Sequence, residues 1–265
     1  MRRSATALLL ILPLAAAGPA VAGETACWFE NGAIVAPAAI ADMTGDFVID
    51  LSAPRTLLHN TKAQMSGYAE LDLTLPVRLA GQRVEAAPIL VSDLDYRGVG
   101  FIAPIAGVIG ADILGRYVVI IDFAPCRLRL EPQGWAERSR GRGLPVTVVG
   151  GVPTVQATAS DGFSSLTGAF ALDTASNGGV RARGDADGPR QKPAGVLAGL
   201  SLDGRLRQRV AAVRAGDLPP GVAGAVGVAI LSDYRLRLDA QAGRLWLTPA
   251  RLESKEKGPG VTARP

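Results

Sequence analysis

The sequence predicts an all-β fold built from two copies of one unit, and three observations carry that prediction. An internal repeat spans nearly the whole chain. Within each copy, apolar and polar residues alternate with period two, the mark of half-buried strands. The chain of 265 residues also holds 32 Gly and 18 Pro with only 5% aromatic residues, a mix that suits many short strands divided by turns.

The repeat comes first because it fixes architecture. Gly45-Asp46-Phe47-Val48-Ile49-Asp50 returns as Gly168-Ala169-Phe170-Ala171-Leu172-Asp173, an offset of 123 (173 − 50), which also relates Leu79-Ala80-Gly81 to Leu202-Asp203-Gly204. Further on, Gly110 to Leu130 returns as Gly227 to Leu247 at an offset of 117 (227 − 110). There Gly110, Ile113, Leu114, Tyr117, Asp122, Arg127, Leu128 and Leu130 meet identical residues. Between the matched blocks the first copy is longer by six residues (123 − 117), as a surface-loop difference would be.

Each copy reads as strands in the same order. Phe47-Val48-Ile49 and Phe170-Ala171-Leu172 are short apolar runs ending at an acid. Leu71 to Leu75 alternates, and Gly81 sits in a turn before a strand over Val84 to Val91. Tyr117 to Ile121 and Leu236 to Leu238 each open a hairpin, returning as Arg127 to Leu130 and Arg244 to Leu247. Ala111 to Leu114 and Val228 to Leu231 are each long enough for one helical turn. The expected organisation is an N-terminal lobe over 23–136, a linker over 137–143, a C-terminal lobe over 144–249 and a flexible tail over 250–265.

Residues 1–22 read as a signal peptide: Arg2 and Arg3, an apolar stretch from Ala5 to Ala17, then Ala20-Val21-Ala22 as a small-residue cleavage site. An uncleaved anchor is the rival, but Pro13, Gly18 and Pro19 interrupt a core short for a span. Cleavage would place the chain in the periplasm or outside the cell, with no stable membrane insertion. It would also lower the net charge from +4 to +2, since two arginines and no acids leave. A balance so near neutral offers no argument for nucleic acid as a partner. Only Cys27 and Cys126 are present, and in an exported chain such a pair reads as one disulfide. Two unpaired buried thiols are the alternative. A metal site is disfavoured because neither cysteine has a second ligand at metal-site spacing and His59 is the only histidine.

With these residues in view, the chain resembles the pepsin-like and retropepsin-like aspartic proteases. That family's signature is two apolar residues, an Asp, a small or hydroxylated pair, and later apolar-apolar-Gly. Here it occurs twice, as Val48-Ile49-Asp50-Leu51-Ser52-Ala53 with Val108-Ile109-Gly110, and as Ala171-Leu172-Asp173-Thr174-Ala175-Ser176 with Ala225-Val226-Gly227. The resemblance implies two pseudo-twofold-related β-barrel lobes with a central cleft. It makes Asp50 and Asp173 the catalytic pair, with Ser52, Thr174, Ser176, Gly110 and Gly227 in support. In that chemistry two adjacent carboxylates share one proton, activate a water and polarise the scissile carbonyl. Neither metal nor organic cofactor is implied. The chain departs from the pattern at Leu51, where a Thr or Ser hydroxyl usually bonds the other lobe.

The resemblance thus points to an exported aspartic endopeptidase, acting as a monomer on a peptide or protein substrate. The alternative, marked by Leu51, is a catalytically impaired peptide- or protein-binding module of the cell envelope. Several other residues have plainer readings. Asp122 and Asp239 start hairpin turns, and His59 reads as a surface histidine without a nucleophile beside it. A flap over the cleft is expected at Gln64 to Tyr68, with Gly67 permitting a tight turn and Tyr68 touching a bound peptide.

Overall fold

The computed structural model describes residues 23–97, 99–134, 143–182, 195–202, 204–214 and 218–250. The segments expected to be a signal peptide, a linker (apart from Gly143) and a flexible tail (beyond Ala250) therefore lie outside the described residues. In the first half of the chain the strands are β1 (Gly23–Ala26), β2 (Trp28–Glu30), β3 (Ala33–Ile40), β4 (Met43–Ile49) and β5 (Thr56–His59). After α1 (Asn60–Met65) come β6 (Asp72–Leu79), β7 (Gln82–Ser92) and β8 (Gly107–Ile109), then α2 (Ala111–Leu114), β9 (Val118–Phe123) and β10 (Cys126–Glu131). In the second half β11 (Leu144–Pro145), β12 (Thr147–Val149), β13 (Val152–Ser160), β14 (Ser165–Asp173) and β15 (Val180–Ala182) lead to β16 (Gly195–Leu202) and β17 (Arg205–Arg214). The chain closes with β18 (Gly224–Gly227), α3 (Val228–Leu231), β19 (Tyr234–Asp239) and β20 (Arg244–Pro249). The one-turn helices α2 and α3 fall where the sequence puts them.

Both lobes have one topology. The first sheet runs β2-β3-β4-β8-β5-β7-β6 and closes through β3–β6; the second runs β12-β13-β14-β18-β15-β17-β16 and closes through β13–β16. Each closure makes a six-stranded barrel with one strand added at its side, so the duplication read from the repeat is a duplication of architecture. In each barrel the last short strand lies parallel to the strand that ends at the acid, β8 beside β4 and β18 beside β14. The chain must therefore leave the acid-bearing strand, cross the end of its neighbour and return on the other side. Asp50 and Asp173 occupy those crossings.

The repeat-matched Phe47 and Phe170 fill the two barrels and are fully buried. Apolar burial at roughly 25 cal/mol per Å² makes such side chains the main stabilising contribution. Space also constrains the crossings. A Cβ on Gly110 would lie 2.6 Å from the Arg55 carbonyl oxygen, and one on Gly227 would lie 2.1 Å from that of Gly178. No side chain fits at either glycine, which explains the residue type at both positions.

A third sheet, β1-β10-β9-β19-β20-β11, joins the lobes. At its centre β9 and β19 pair antiparallel, with Ile120 opposite Arg237 and Ile121 opposite Leu236. Ile120 and Arg237 are counterparts at the offset of 117, so the pseudo-twofold axis runs through this pair. Beneath it the buried Glu131 is held by Arg237 Nη1 at 2.9 Å and Arg129 Nε at 3.5 Å.

Cys27 and Cys126 form the disulfide, across a sequence separation of 99 residues. It ties β2 and the end of β1 to β10, so the first barrel is closed covalently onto the shared sheet. Replacing both cysteines by serine removes the constraint on the unfolded chain, for which a loop of this length gives about 4.7 kcal/mol on the chain-entropy view. Denaturant unfolding of the Cys27→Ser/Cys126→Ser variant is expected to show a loss on the order of 3–5 kcal/mol. A loss under about 1 kcal/mol would mean that the sheet alone fixes this geometry.

Candidate active site

The acids end apolar strands, and the strand burial carries them inward: Asp50 is 2% exposed and Asp173 1%. Two buried carboxylates demand hydrogen-bond donors. The chain supplies them locally and symmetrically. Ser52 N donates to Asp50 Oδ1 at 2.8 Å, and Ala175 N donates to Asp173 Oδ1 at 3.1 Å. Ser52 adds its hydroxyl to the same oxygen of Asp50 at 2.6 Å. Ala53 N and Asp50 O close the first turn, while Asp50 N donates to Ile109 O.

Thr174 connects the two crossings. Its hydroxyl donates to Ile49 O at 2.6 Å and accepts from Leu51 N at 3.0 Å, both in the other lobe. A third bond, Ile34 N to Thr174 O at 2.9 Å, runs alongside. Thr174 is thus fully satisfied, although its counterpart Leu51 has no hydroxyl with which to return the bond. The Leu51 side chain is instead completely buried in the main core. One half of the crossing is held by hydrogen bonds and the other by apolar packing.

Asp50 and Asp173 line one cavity of about 600 Å³, together with Ser52, Ala175 and Ser176. Gly110 and Gly227 support from behind: Gly110 N donates to Thr56 Oγ1 at 3.1 Å, and Gly227 N donates to Gly179 O at 2.9 Å. Ser176 caps its own turn, its Oγ accepting from Gly178 N at 3.2 Å.

Two arginines that the motif does not contain complete the floor. Arg97 Nη1 donates to Asp50 Oδ2 at 3.1 Å, and its Nε donates to Tyr96 Oη at 3.2 Å. Arg181 Nε lies 2.7 Å from Asp173 Oδ2, with its N–H not aimed at that oxygen, so the contact is an ion pair more than a hydrogen bond. Burial first, and then the Asp50 charge, push the Asp173 carboxyl above its ordinary 3.8, against the pull of Arg181. Burial lowers the Arg97 guanidinium while Asp50 raises it, and the net direction is up.

Sequence signals for both arginines existed. Arg181 stands in a strand whose repeat partner is apolar, for it pairs with Ala225 as Leu57 pairs with Val108. Arg97 belongs to the stretch that is six residues longer in the first copy. That stretch was expected to be a plain surface loop. Instead its ends are anchored by the buried Leu94 and Ile105, and Asn31 Nδ2 holds Val99 O at 3.0 Å. Glu30 Oε1 also accepts from Ile102 N.

The other sequence expectations settle differently. Gly67 and Tyr68 line a second hollow with Gln64, Glu70 and Val91, away from the cleft. The reason is α1, which takes up the segment in which a flap would form, while Tyr68 packs against the core. His59 is not a surface histidine: it is 7% exposed and caps α1, its Nδ1 accepting from Thr61 N at 3.2 Å. Its Nε2 is 3.1 Å from Asp95 Oδ1, and Asp93 completes a cluster within 4.8 Å. A proton on Nδ1 would face the Thr61 N–H, so the ring proton sits on Nε2 and points at Asp95. That tautomer leaves no lone pair at Nε2 for a cation. Asp122 and Asp239 lie at hairpin ends, Asp122 paired with Arg235 and Asp239 Oδ1 accepting from Ala242 N, remote from the cavity.

No family model matches the chain, and none of the curated proteins does. Among solved structures, the crystal structure of an aspartic proteinase from Irpex lacteus is similar in fold, with a TM-score of 0.54 and 13% sequence identity. The match covers 87% of this chain and 98% of that one. The likeness establishes the two-lobed fold.

Two measurements check this geometry. Thr174→Val leaves Ile49 C=O and Leu51 N–H buried without their partner, so unfolding free energy should fall by roughly 2–5 kcal/mol, while Thr174→Ser should lose far less. For Asp173, a folded-state pKa above the ordinary value means that the native state binds more protons than the unfolded chain. Its contribution is therefore gained as pH falls through the raised value toward 3.8 and lost as pH rises. The difference in Tm between wild type and Asp173→Asn should grow in favour of wild type on acidification. A difference growing with pH would mean that Arg181 holds the carboxylate ionised.

Proposed function

We propose that the chain is an exported aspartic endopeptidase in which Asp50 and Asp173 activate a water against a peptide bond laid between the lobes. The observation that carries this reading is the meeting of both buried carboxylates in one open cavity, joined by the Thr174 bonds across the lobes. In this reading Asp173, pushed upward by burial and by Asp50, holds the proton of the pair. Asp50, which accepts from Ser52 and Arg97, faces the water as the base.

The steps balance on these two groups. Asp50 takes a proton from water as its oxygen attacks the carbonyl carbon, and Asp173 gives its proton to the carbonyl oxygen. Asp50 then returns a proton to the leaving nitrogen as the C–N bond breaks, and a hydroxyl proton goes back to Asp173. Both residues end as they began. Export agrees with the disulfide, a bond that persists in oxidising compartments. Among the described residues no helix is long and apolar enough to cross a membrane. Both acids lie in one chain, so the reading needs only a monomer.

A second reading is favoured by a specific observation, the arginine beside each acid. Two cations can hold both carboxylates ionised and remove the shared proton, which would leave a peptide-binding module without hydrolytic chemistry.

Hydrolysis of a diverse quenched-fluorescent peptide library between about pH 3 and pH 8 decides between them. The endopeptidase reading expects cleavage by wild type that Asp50→Asn and Asp173→Asn each reduce at least about a hundredfold, since general acid–base roles alone contribute about 10²–10⁴. Absence of cleavage by folded wild type at every pH, with peptides still bound, would establish the binding module instead.

A further inference from the structure

We propose that Arg97 and Arg181 make the floor of the cleft a carboxylate-recognising subsite, so that the peptides it takes carry a carboxylate within one residue of the bond laid over Asp50 and Asp173. This rests on the peptide-cleft reading above and adds the substrate class.

The first ground is how the two arginines arrive. Arg181 comes from β15 in the second lobe, at the position that Leu57 fills in the first. Arg97 comes from the 93–105 loop, in the stretch where the second copy is shorter. Duplication therefore accounts for neither, yet each reaches the carboxylate of its own lobe. The Arg97 loop is fixed at both ends and at its middle, so the guanidinium is delivered by a built element and not by a free surface side chain.

The second ground is unused donor capacity. A guanidinium has five N–H donors in a planar fork and no acceptor. Arg97 spends Nη1 on Asp50 and Nε on Tyr96. Arg181 has only its misaligned Nε contact with Asp173. Both side chains stay partly open to the cavity, at 30% and 25% exposure. Their remaining N–H groups have no protein partner among the described residues, and a ligand that displaces water from them has to supply acceptors in its place. A carboxylate fits that fork in two parallel bonds, while a cationic side chain would meet like charge.

The third ground is charge. The two arginines offset the two acids, while Arg55 at the cavity wall is itself balanced by Asp72 at 2.9 Å. A shared-proton pair alone would carry one negative charge and repel an acidic peptide. Here that repulsion is cancelled at the floor itself.

The test uses the purified chain and four labelled peptides of one sequence: Glu or Gln at the central position, each ending in a free acid or an amide. Binding is read by fluorescence anisotropy in the cold, and mass spectrometry checks that each peptide is intact. Hydrolysis is judged by the library assay above, and its absence there would leave the subsite untouched, so the two readings fail separately. The subsite predicts that a carboxylate improves Kd at least tenfold, that added salt erodes the gain, and that Arg97→Gln and Arg181→Gln each bring the ratio near one. A gain confined to the Glu pair assigns the carboxylate to a side chain, and a gain confined to the free-acid pair assigns it to a C-terminus. Where a single arginine variant does not fold because it strands a buried acid, Asp50→Asn is compared with Asp50→Asn/Arg97→Gln, and Asp173→Asn with Asp173→Asn/Arg181→Gln. Equal affinity for all four peptides in wild type would overturn the subsite, as would a carboxylate preference that the arginine substitutions leave intact.

Discussion

The structure turns on keeping two ionisable side chains out of water at the seam between two barrels. Each barrel buries its own acid by ending an apolar strand with it, and neither loop would hold its shape without donors turned inward. The Thr174 hydroxyl supplies what the strands cannot. By donating to Ile49 O and accepting from Leu51 N, it fixes the second crossing against the first. Everything else at the floor of the cleft is positioned relative to that link.

The two halves solve one problem with different chemistry. Around Asp50 there are two donors from Ser52 and one from Arg97; around Asp173 there is one backbone N–H and a cation at short range. Both Leu51 and Thr174 are fully buried, but the Leu51 side chain packs in the apolar core while the Thr174 hydroxyl is spent on the other lobe. Such inequality is what separates two adjacent carboxyl groups into a proton holder and a base. The arginines shift the same balance from outside the loops, by charge and not by geometry.

Much of this was legible in the sequence because the repeat doubles every signal. Asp50 and Asp173, the glycines behind them, the helical turns at Ala111 and Val228 and the hairpins that follow were each readable twice. What escaped the sequence is what the two copies do not share. Arg97 and Arg181 have no mutual counterpart, so the repeat marks them only as differences between the copies and not as matched residues. His59 stands in a polar stretch that reads as surface, and its burial and its bond from Thr61 N come from the way the chain packs around it. The segment at Gly67 was misplaced because six residues of helix absorb the length from which a covering hairpin would be made. Local propensity was right at the strands, and tertiary context decided the connections.

The pairing of Ile120 with Arg237 has a consequence for the kind of molecule from which such a chain descends. A strand residue that faces its own repeat counterpart defines an isologous contact, the kind two identical subunits make about a twofold axis. A half-length ancestor could close the same cleft as a homodimer, with position 120 meeting itself. Identical subunits, however, must place identical residues on both sides of the axis. Joining the halves in one polypeptide lifts that restriction, and only afterwards can one side acquire a lone arginine on a strand and the other a lone arginine on a loop. The asymmetry of the cleft is thus a property that a pair of identical halves cannot have.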